Sequence, residues 1–202
     1  MSRHLDLGCG VKMRNPYRAD EVFGVDLMEN ASLPRDRYRP ANLAVDAIPF
    51  ESDSFDSVSA FDFIEHIPRV LATPDGSTRL PFVNLMSEIW RVQKADGRFY
   101  AITPAFPKME AFTDPTHVNI ITAETHNYFV DPHNWAAMYG FVGSFRALRI
   151  DWLRRNADYE PTEPMLRHRL RRFADGVMGR KVHLLWELGA IKPVPRRAAQ
   201  PG

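Results

Sequence analysis

Apolar positions fall in short blocks separated by polar and turn-forming residues, and the blocks carry two different periods. Leu5 and Leu7, and then Val22 to Val25, are brief apolar runs suited to buried parallel strands. Phe82, Leu85, Met86, Ile89 and Val92 recur at three- and four-residue spacing, which predicts an amphipathic helix packed on a sheet. Asp131-Pro132 reads as an N-cap and first helical residue, with Gly140 as the stop for a helix carrying Trp135 and Met138 that shelters the site. Phe145 to Trp152 and Val182 to Leu188 read as two further strands. Between them Leu166, Leu170, Phe173 and Val177 form an apolar stripe beside Arg167, Arg169, Arg171 and Arg172, which reads as a solvated structural face, with an anionic membrane or phosphate-rich substrate as the alternative.

The most informative block is His4-Leu-Asp-Leu-Gly-Cys-Gly10, followed by Phe23-Gly-Val-Asp26-Leu. It has the form of a strand, a glycine turn and a second strand that bind a nucleotide. Gly8 and Gly10 remove Cβ atoms where the backbone turns sharply and approaches a ligand. In an open α/β sheet the ligand lies at the carboxyl ends of the strands, so Asp26, closing the second run, is placed to accept ribose hydroxyls. Dinucleotide binders carry a third glycine in G-x-G-x-x-G; Met13 occupies that position here.

The segment resembles motif I (acid-x-G-x-G) of the class I S-adenosylmethionine-dependent methyltransferases, and later segments follow that family's order. Val45-Asp46-Ala47-Ile-Pro-Phe50 resembles the third-strand end, Ser54 to Ala60 the fourth strand, and Phe61-Asp-Phe-Ile-Glu-His-Ile67 the motif IV exit. Glu88 to Gly97 is similar to the helix and glycine turn that precede a fifth strand at Arg98 to Thr103. The resemblance implies an α/β, Rossmann-like three-layer sandwich: a seven-stranded mixed sheet with an antiparallel last strand. It also implies S-adenosyl-L-methionine as cofactor, bound by Asp6, Gly8, Cys9, Gly10, Asp26, Leu27, Asp46, Ala47 and Phe61. Asp6 would help to hold the methionine amino group and the loop, and Asp46 would reach the adenine amino group. The chain is similar to methyltransferase type 11-like enzymes, among them those associated with glycan and lipopolysaccharide assembly.

Two departures stand out. Only Val11 to Phe23 joins the glycine turn to the next strand's end, close to the dozen residues a parallel crossover needs, so the first helix must be very short. Asn15-Pro16 shortens it further, because the residue before proline is pushed out of helical space. The expected organisation is one methyltransferase domain over residues 1–192, lacking the family's usual N-terminal helical lid, and a disordered tail at 193–202. Cover for the site is expected from Pro68 to Pro81, a turn-rich exposed loop, and from Pro104 to Asn119, a proline-broken loop at the ligand end of the sheet, or from a partner.

Composition narrows the setting. With 202 residues, 45% of them hydrophobic, the chain buries one core and has no room for two. The single cysteine, Cys9, excludes a disulfide framework and points to the cytoplasm. A formal net charge of +1 gives no electrostatic case for nucleic acid and favours a small-molecule or glycan substrate. No apolar stretch reaches the roughly 18 residues that span a bilayer, which leaves peripheral membrane contact, a homo-oligomer or a partner subunit open.

Methyl transfer from a sulfonium needs positioning, plus a base when the acceptor is a hydroxyl. The catalytic candidates are His117, with Asp114 three residues away in a proline-fixed turn to orient it, and His66, which follows Glu65 at the expected start of the fourth helix. No metal is assigned, although Asp62, Glu65 and His66 resemble the acid-x-x-Glu-His patch of ubiquinone-pathway O-methyltransferases, for which divalent-ion binding is described. His126, His133, His168 and His183 read as surface or helix residues. The expected reaction is O-methylation of a sugar, lipid-linked glycan or small metabolite. N- or protein methylation is the enzyme alternative, lowered because Ala60-Phe-Asp-Phe63 lacks the Asn-Pro-Pro-Tyr type signature, and a non-catalytic cofactor-binding subunit is the other.

Overall fold

The computed structural model describes residues 1–154, 161 and 173–193. Seven strands form one sheet: β1 (Arg3–Leu7), β2 (Glu21–Asp26), β3 (Tyr38–Pro40), β4 (Phe55–Phe61), β7 (Gln93–Pro104), β8 (Phe145–Arg154) and β9 (Lys181–Ala190), in the order β3-β2-β1-β4-β7-β9-β8. The first five pair in parallel, while β9 runs antiparallel to both β7 and β8. This is the mixed sheet expected, with its reversed last strand. The central strands are almost wholly buried, and this holds for the apolar Leu5, Leu7, Val58, Phe99 and Ala101 as for the polar Asp6, Ser57 and Ser59 beside them.

The amphipathic helix α1 spans Pro81–Val92, and each stripe residue, Phe82, Leu85, Met86, Ile89 and Val92, is buried. These side chains join one core cluster with Val58, Phe99, Leu184 and Trp186. Each such residue contributes about 1.5 to 3 kcal/mol when fully buried, so the stripe alone anchors α1 to the sheet. Pro81 opens the helix at a position where its missing N–H is no loss.

Several boundaries differ from expectation. The third strand is Tyr38–Pro40, so it ends six residues before Asp46; three residues are too few to carry a readable period. The crossover from Gly8 to Asp20 is built of turns and contains no helix. The fifth sheet strand begins at Gln93, but its register jumps from Phe55↔Gln93 to Ser57↔Arg98, so Lys94 to Gly97 bulge out of the ladder. The Pro68 to Pro81 loop holds a small hairpin, β5 (Leu71–Ala72) and β6 (Thr78–Arg79), whose turn is tied by Asp75 to Thr73 and Ser77.

The helix expected after Asp131-Pro132 is a single 3₁₀ turn, Trp135–Tyr139, with Gly140 at φ +89 closing it. Asp131 does not cap it: its carboxylate accepts the Ser144 hydroxyl at 2.7 Å. The turn lines an apolar cleft with Phe82, Tyr128 and Phe129, so it shelters that cleft and not the glycine turn. Most of the arginine-flanked stripe, and the tail beyond Pro193, lie outside the described residues; Phe173 and Val177, which are described, are exposed. Among the described residues no helix is long and apolar enough to cross a membrane.

Candidate active site

The turn after β1 is forced open by its two glycines. Gly8 stands at φ +65, and a Cβ there would come within 2.4 Å of the Phe63 ring, locking the turn against the segment that leaves β4. Gly10, at φ +58, would project a Cβ into open space. Asp26, at the end of β2, holds the far side of the turn: its Oδ2 accepts the Gly10 N–H at 2.8 Å and its Oδ1 accepts the Leu27 N–H at 2.7 Å. Asn30 donates to the Gly10 carbonyl at 3.2 Å. The result is a cleft of about 880 Å³ lined by residues 8–16 with Phe61 and Asp62. Each Asp26 oxygen keeps a further lone pair, and Leu27 and Met28 expose apolar side chains beside it. The donor set and the cradle fit a nucleoside-bearing cofactor.

A directed chain of hydrogen bonds holds this turn from below. Ser59 donates to Asp6 at 2.7 Å, so the 2.9 Å bond from His4 Nε2 must be donated by the ring to Ser59, leaving His4 Nδ1 to accept from Ser57 at 2.7 Å. The other Asp6 oxygen accepts the Arg14 N–H at 2.7 Å. Burial pushes the His4 pKa down to about 3 and the Asp6 pKa up to about 6, the latter opposed by the Arg14 and Ser59 bonds. Asp6 is fully buried beneath the turn, where its two oxygens tie the loop at Arg14 to β4 at Ser59. Cys9 is buried with its thiol pushed up to about 12, chiefly by desolvation, which leaves it a packing residue.

Of the other residues expected at the cofactor, Phe61 lines the glycine-turn cleft, whereas Asp46 and Ala47 line a separate cleft of about 320 Å³ with Arg79 and Glu88. Asp46 accepts the Asn42 N–H at 3.0 Å. The residues that follow β3 at the ligand end are Ala41 and Asn42; Ala41 N–H bonds the Asp26 carbonyl at 2.8 Å.

A second cleft, about 480 Å³, adjoins the first through Asp62 and is lined by Glu65, His66, Asp114, His117 and His183. Asp62 leaves β4 at φ +48, a backbone region sparse for non-glycine residues and enriched at functional sites. Its Oδ1 lies 3.3 Å from Nε2 of His183, which is buried on β9 and is therefore no surface or helix residue. The loop after β7 folds back over the 3₁₀ turn Ile64–His66, with Val118 and Asn119 N–H groups bonding the Glu65 carbonyl.

This folding corrects the expected pairing. Asp114 makes no side-chain bond to His117: its carboxylate accepts the Thr116 hydroxyl at 2.6 Å and the Thr116 N–H at 2.8 Å, and Thr116 Oγ1 lies 3.0 Å from His66 Nδ1. Because the Thr116 proton is committed to Asp114, His66 Nδ1–H is the donor to Thr116 and its Nε2 carries a lone pair. His117 Nδ1 meets the Ala111 carbonyl at 3.2 Å, so it too must be protonated there. The two rings meet edge to face, 4.8 Å between centroids. Glu65 accepts from Thr103 at 2.8 Å through Oε2, while Oε1 is buried without a hydrogen-bond partner. Desolvation, with the nearby Asp62 and Asp114 charges, raises Glu65 to about 8, and the hydrogen bonds to it act against that. Thr116, His183 and Asn30 had no sequence signal, since each acts through a contact across the fold.

Comparison with known proteins agrees with this fold. The family model described as a methyltransferase domain matches residues 5–101. A search of curated proteins found no match by sequence. Among solved structures, an S-adenosylmethionine-dependent methyltransferase from Mesorhizobium loti is similar at 16% identity and TM-score 0.52, covering 93% of this chain and 90% of its own. A putative methyltransferase complexed with the Haloferax volcanii Trm112 activator is similar at 14% identity and TM-score 0.54, covering 95% and 83%. The [4+2]-cyclase SpnF is similar at 13% identity and TM-score 0.55, covering 95% and 75%.

Proposed function

We propose that this chain, whose fold is that of the class I methyltransferases, transfers a methyl group from S-adenosyl-L-methionine to an oxygen of a sugar, lipid-linked glycan or small metabolite. One observation carries the reading: the glycine-turn cleft and the acid–histidine cleft meet at Asp62, which lines both. When bound, the cofactor supplies an electrophilic sulfonium methyl. Asp26 takes the ribose hydroxyls on its remaining lone pairs, and Gly8, Gly10 and Phe61 shape the wall beside it. Leu27 and Met28 offer apolar surface for the adenine.

An acceptor hydroxyl in the second cleft must lose its proton as its oxygen takes the methyl group. The Nε2 lone pairs of His66 and His117 are the groups placed to receive it. Asp114 acts through Thr116, holding His66 in the tautomer that leaves Nε2 free. A partner subunit or second copy of the chain would cover Phe106, Met109 and Phe112, which are exposed on the loop beside this cleft; the activator bound to the Haloferax volcanii neighbour is a precedent for the arrangement. The cytoplasm is the compartment that fits a chain with one buried, free cysteine.

The test is transfer of a labelled methyl group to a panel of hydroxyl, amine, peptide and nucleic-acid acceptors, with cofactor binding followed by calorimetry. Labelling confined to hydroxyl acceptors supports the proposal. Labelling of amines or protein, or tight cofactor binding with transfer to no acceptor class, replaces it with the corresponding alternative.

A further inference from the structure

We propose that Glu65, His66 and His117 form a site for one divalent transition-metal ion of the zinc and cobalt class, open to the acceptor cleft. Each residue offers a ligand atom, and these atoms lie within 4.8 Å of one another. Metal–ligand bonds of about 2.0 to 2.2 Å require a ligand spacing of roughly 3 to 3.5 Å, so the three side chains would draw together on binding. Asp62 is not part of the set, because its carboxylate turns toward His183.

Three further features point to a cation. Both imidazoles have their Nδ1 side committed, His66 to Thr116 and His117 to the Ala111 carbonyl, so both Nε2 lone pairs are free for coordination. A histidine whose second nitrogen donates to a carbonyl or to a carboxylate relay is the arrangement that orients metal ligands. Thr103 holds one oxygen of Glu65, while the other, on a residue only 1% exposed, has no hydrogen-bond partner. A buried carboxylate oxygen without a partner is destabilising unless something positive meets it. Two imidazoles with one carboxylate suit a borderline transition metal better than magnesium or calcium, which prefer oxygen ligands.

Three protein ligands leave a coordination position free, and all three residues line the cleft. A hydroxyl coordinated there would ionise more readily and release its proton to solvent water in the open cleft; with the ion bound the imidazoles act as its ligands, and without it they act as the base proposed above. This consequence rests on the O-methylation reading; the binding itself does not.

The experiment is a titration of chelator-stripped protein with cobalt(II), read by visible d–d absorption and calorimetry without cofactor or acceptor. One equivalent is expected to bind and to resist excess magnesium. His66→Ala and His117→Ala should each weaken binding by more than the roughly 10- to 100-fold typical of losing an outer-sphere partner, and Thr116→Val should weaken it within that range. Asp26→Ala should leave the cobalt spectrum unchanged while impairing cofactor binding, so failure of the cofactor reading is distinguishable from failure of the metal site. Absence of saturable cobalt binding to the wild-type protein, displacement by magnesium, or unchanged binding in both histidine variants overturns the proposal.

Discussion

The two adjoining clefts are built on opposite principles. The cofactor cleft comes from one continuous stretch, residues 8–16, closed by Phe61 and Asp62 from β4's end, with Asp26 holding the turn at Gly10. The polar groups buried beneath its turn are satisfied: both His4 nitrogens and both Asp6 oxygens have partners. The acceptor cleft gathers side chains from the β4 exit, the loop after β7 and strand β9. It retains an unpaired Glu65 oxygen and two free imidazole lone pairs. A satisfied network fixes a shape, whereas groups held in place with bonding capacity left over are poised for chemistry.

The largest expected effects break the acceptor side alone. His66→Ala or His117→Ala should lower turnover by about 100- to 10,000-fold, roughly 3 to 5 kcal/mol of barrier, while leaving cofactor affinity near the wild-type value. Single-turnover rates and calorimetry on the same preparations separate the two quantities. Equal losses in both would show that the clefts are not independent.

Asp26→Ala should do the reverse. Charge-assisted hydrogen bonds contribute about 1.5 to 3 kcal/mol each, so loss of two ribose contacts should weaken cofactor binding by roughly 100-fold or more in a folded protein. Near-native affinity would remove Asp26 from the site.

A third substitution tests the shape of the cofactor side. Gly8→Ala combines a left-handed backbone, strained by about 1 to 2 kcal/mol in other residues, with a Cβ 2.4 Å from Phe63. Thermal unfolding should show destabilisation of about 2 to 5 kcal/mol, strain and overpacking together. Gly10→Ala, with nothing within 4 Å of its Cβ, bears only the backbone part and should be milder.

The smallest effect concerns pH. His4 titrates at about 3 in the folded protein against 6.5 when unfolded, so the folded state binds fewer protons and its contribution to stability is lost as pH falls below about 6.5. From pH 7.5 to 5.5 this amounts to about 1 kcal/mol. Asp6, raised to about 6, acts oppositely by releasing its proton less readily when folded. The comparison is therefore wild type against His4→Gln: melting temperatures should converge as pH falls, and parallel pH curves would refute the buried neutral histidine.

Legibility followed the same division. The glycine turn, Asp26 and the α1 stripe were readable because each depends on residues within one or two turns of chain. The end of the third strand is not legible, because its three residues carry no period, and it lies six residues before Asp46. Asp131-Pro132 carries a cap signal without a helix to follow, because Asp131 bonds Ser144 and only a 3₁₀ turn forms. Asp114 and His117 are close in sequence, but the proline-fixed turn directs the carboxylate to Thr116 and leaves the imidazole to the Ala111 carbonyl.

The sequence by itself determined the parallel half of the sheet, the helix that covers it and the nucleotide-binding turn, since spacing and glycine placement act locally on the backbone. Only the tertiary structure decided which acid serves which histidine. Thr116 reaches His66 across fifty positions, and His183 meets Asp62 only because β9 inserts antiparallel between β7 and β8. Such contacts depend on how distant segments pack together, and no periodicity along the chain encodes them.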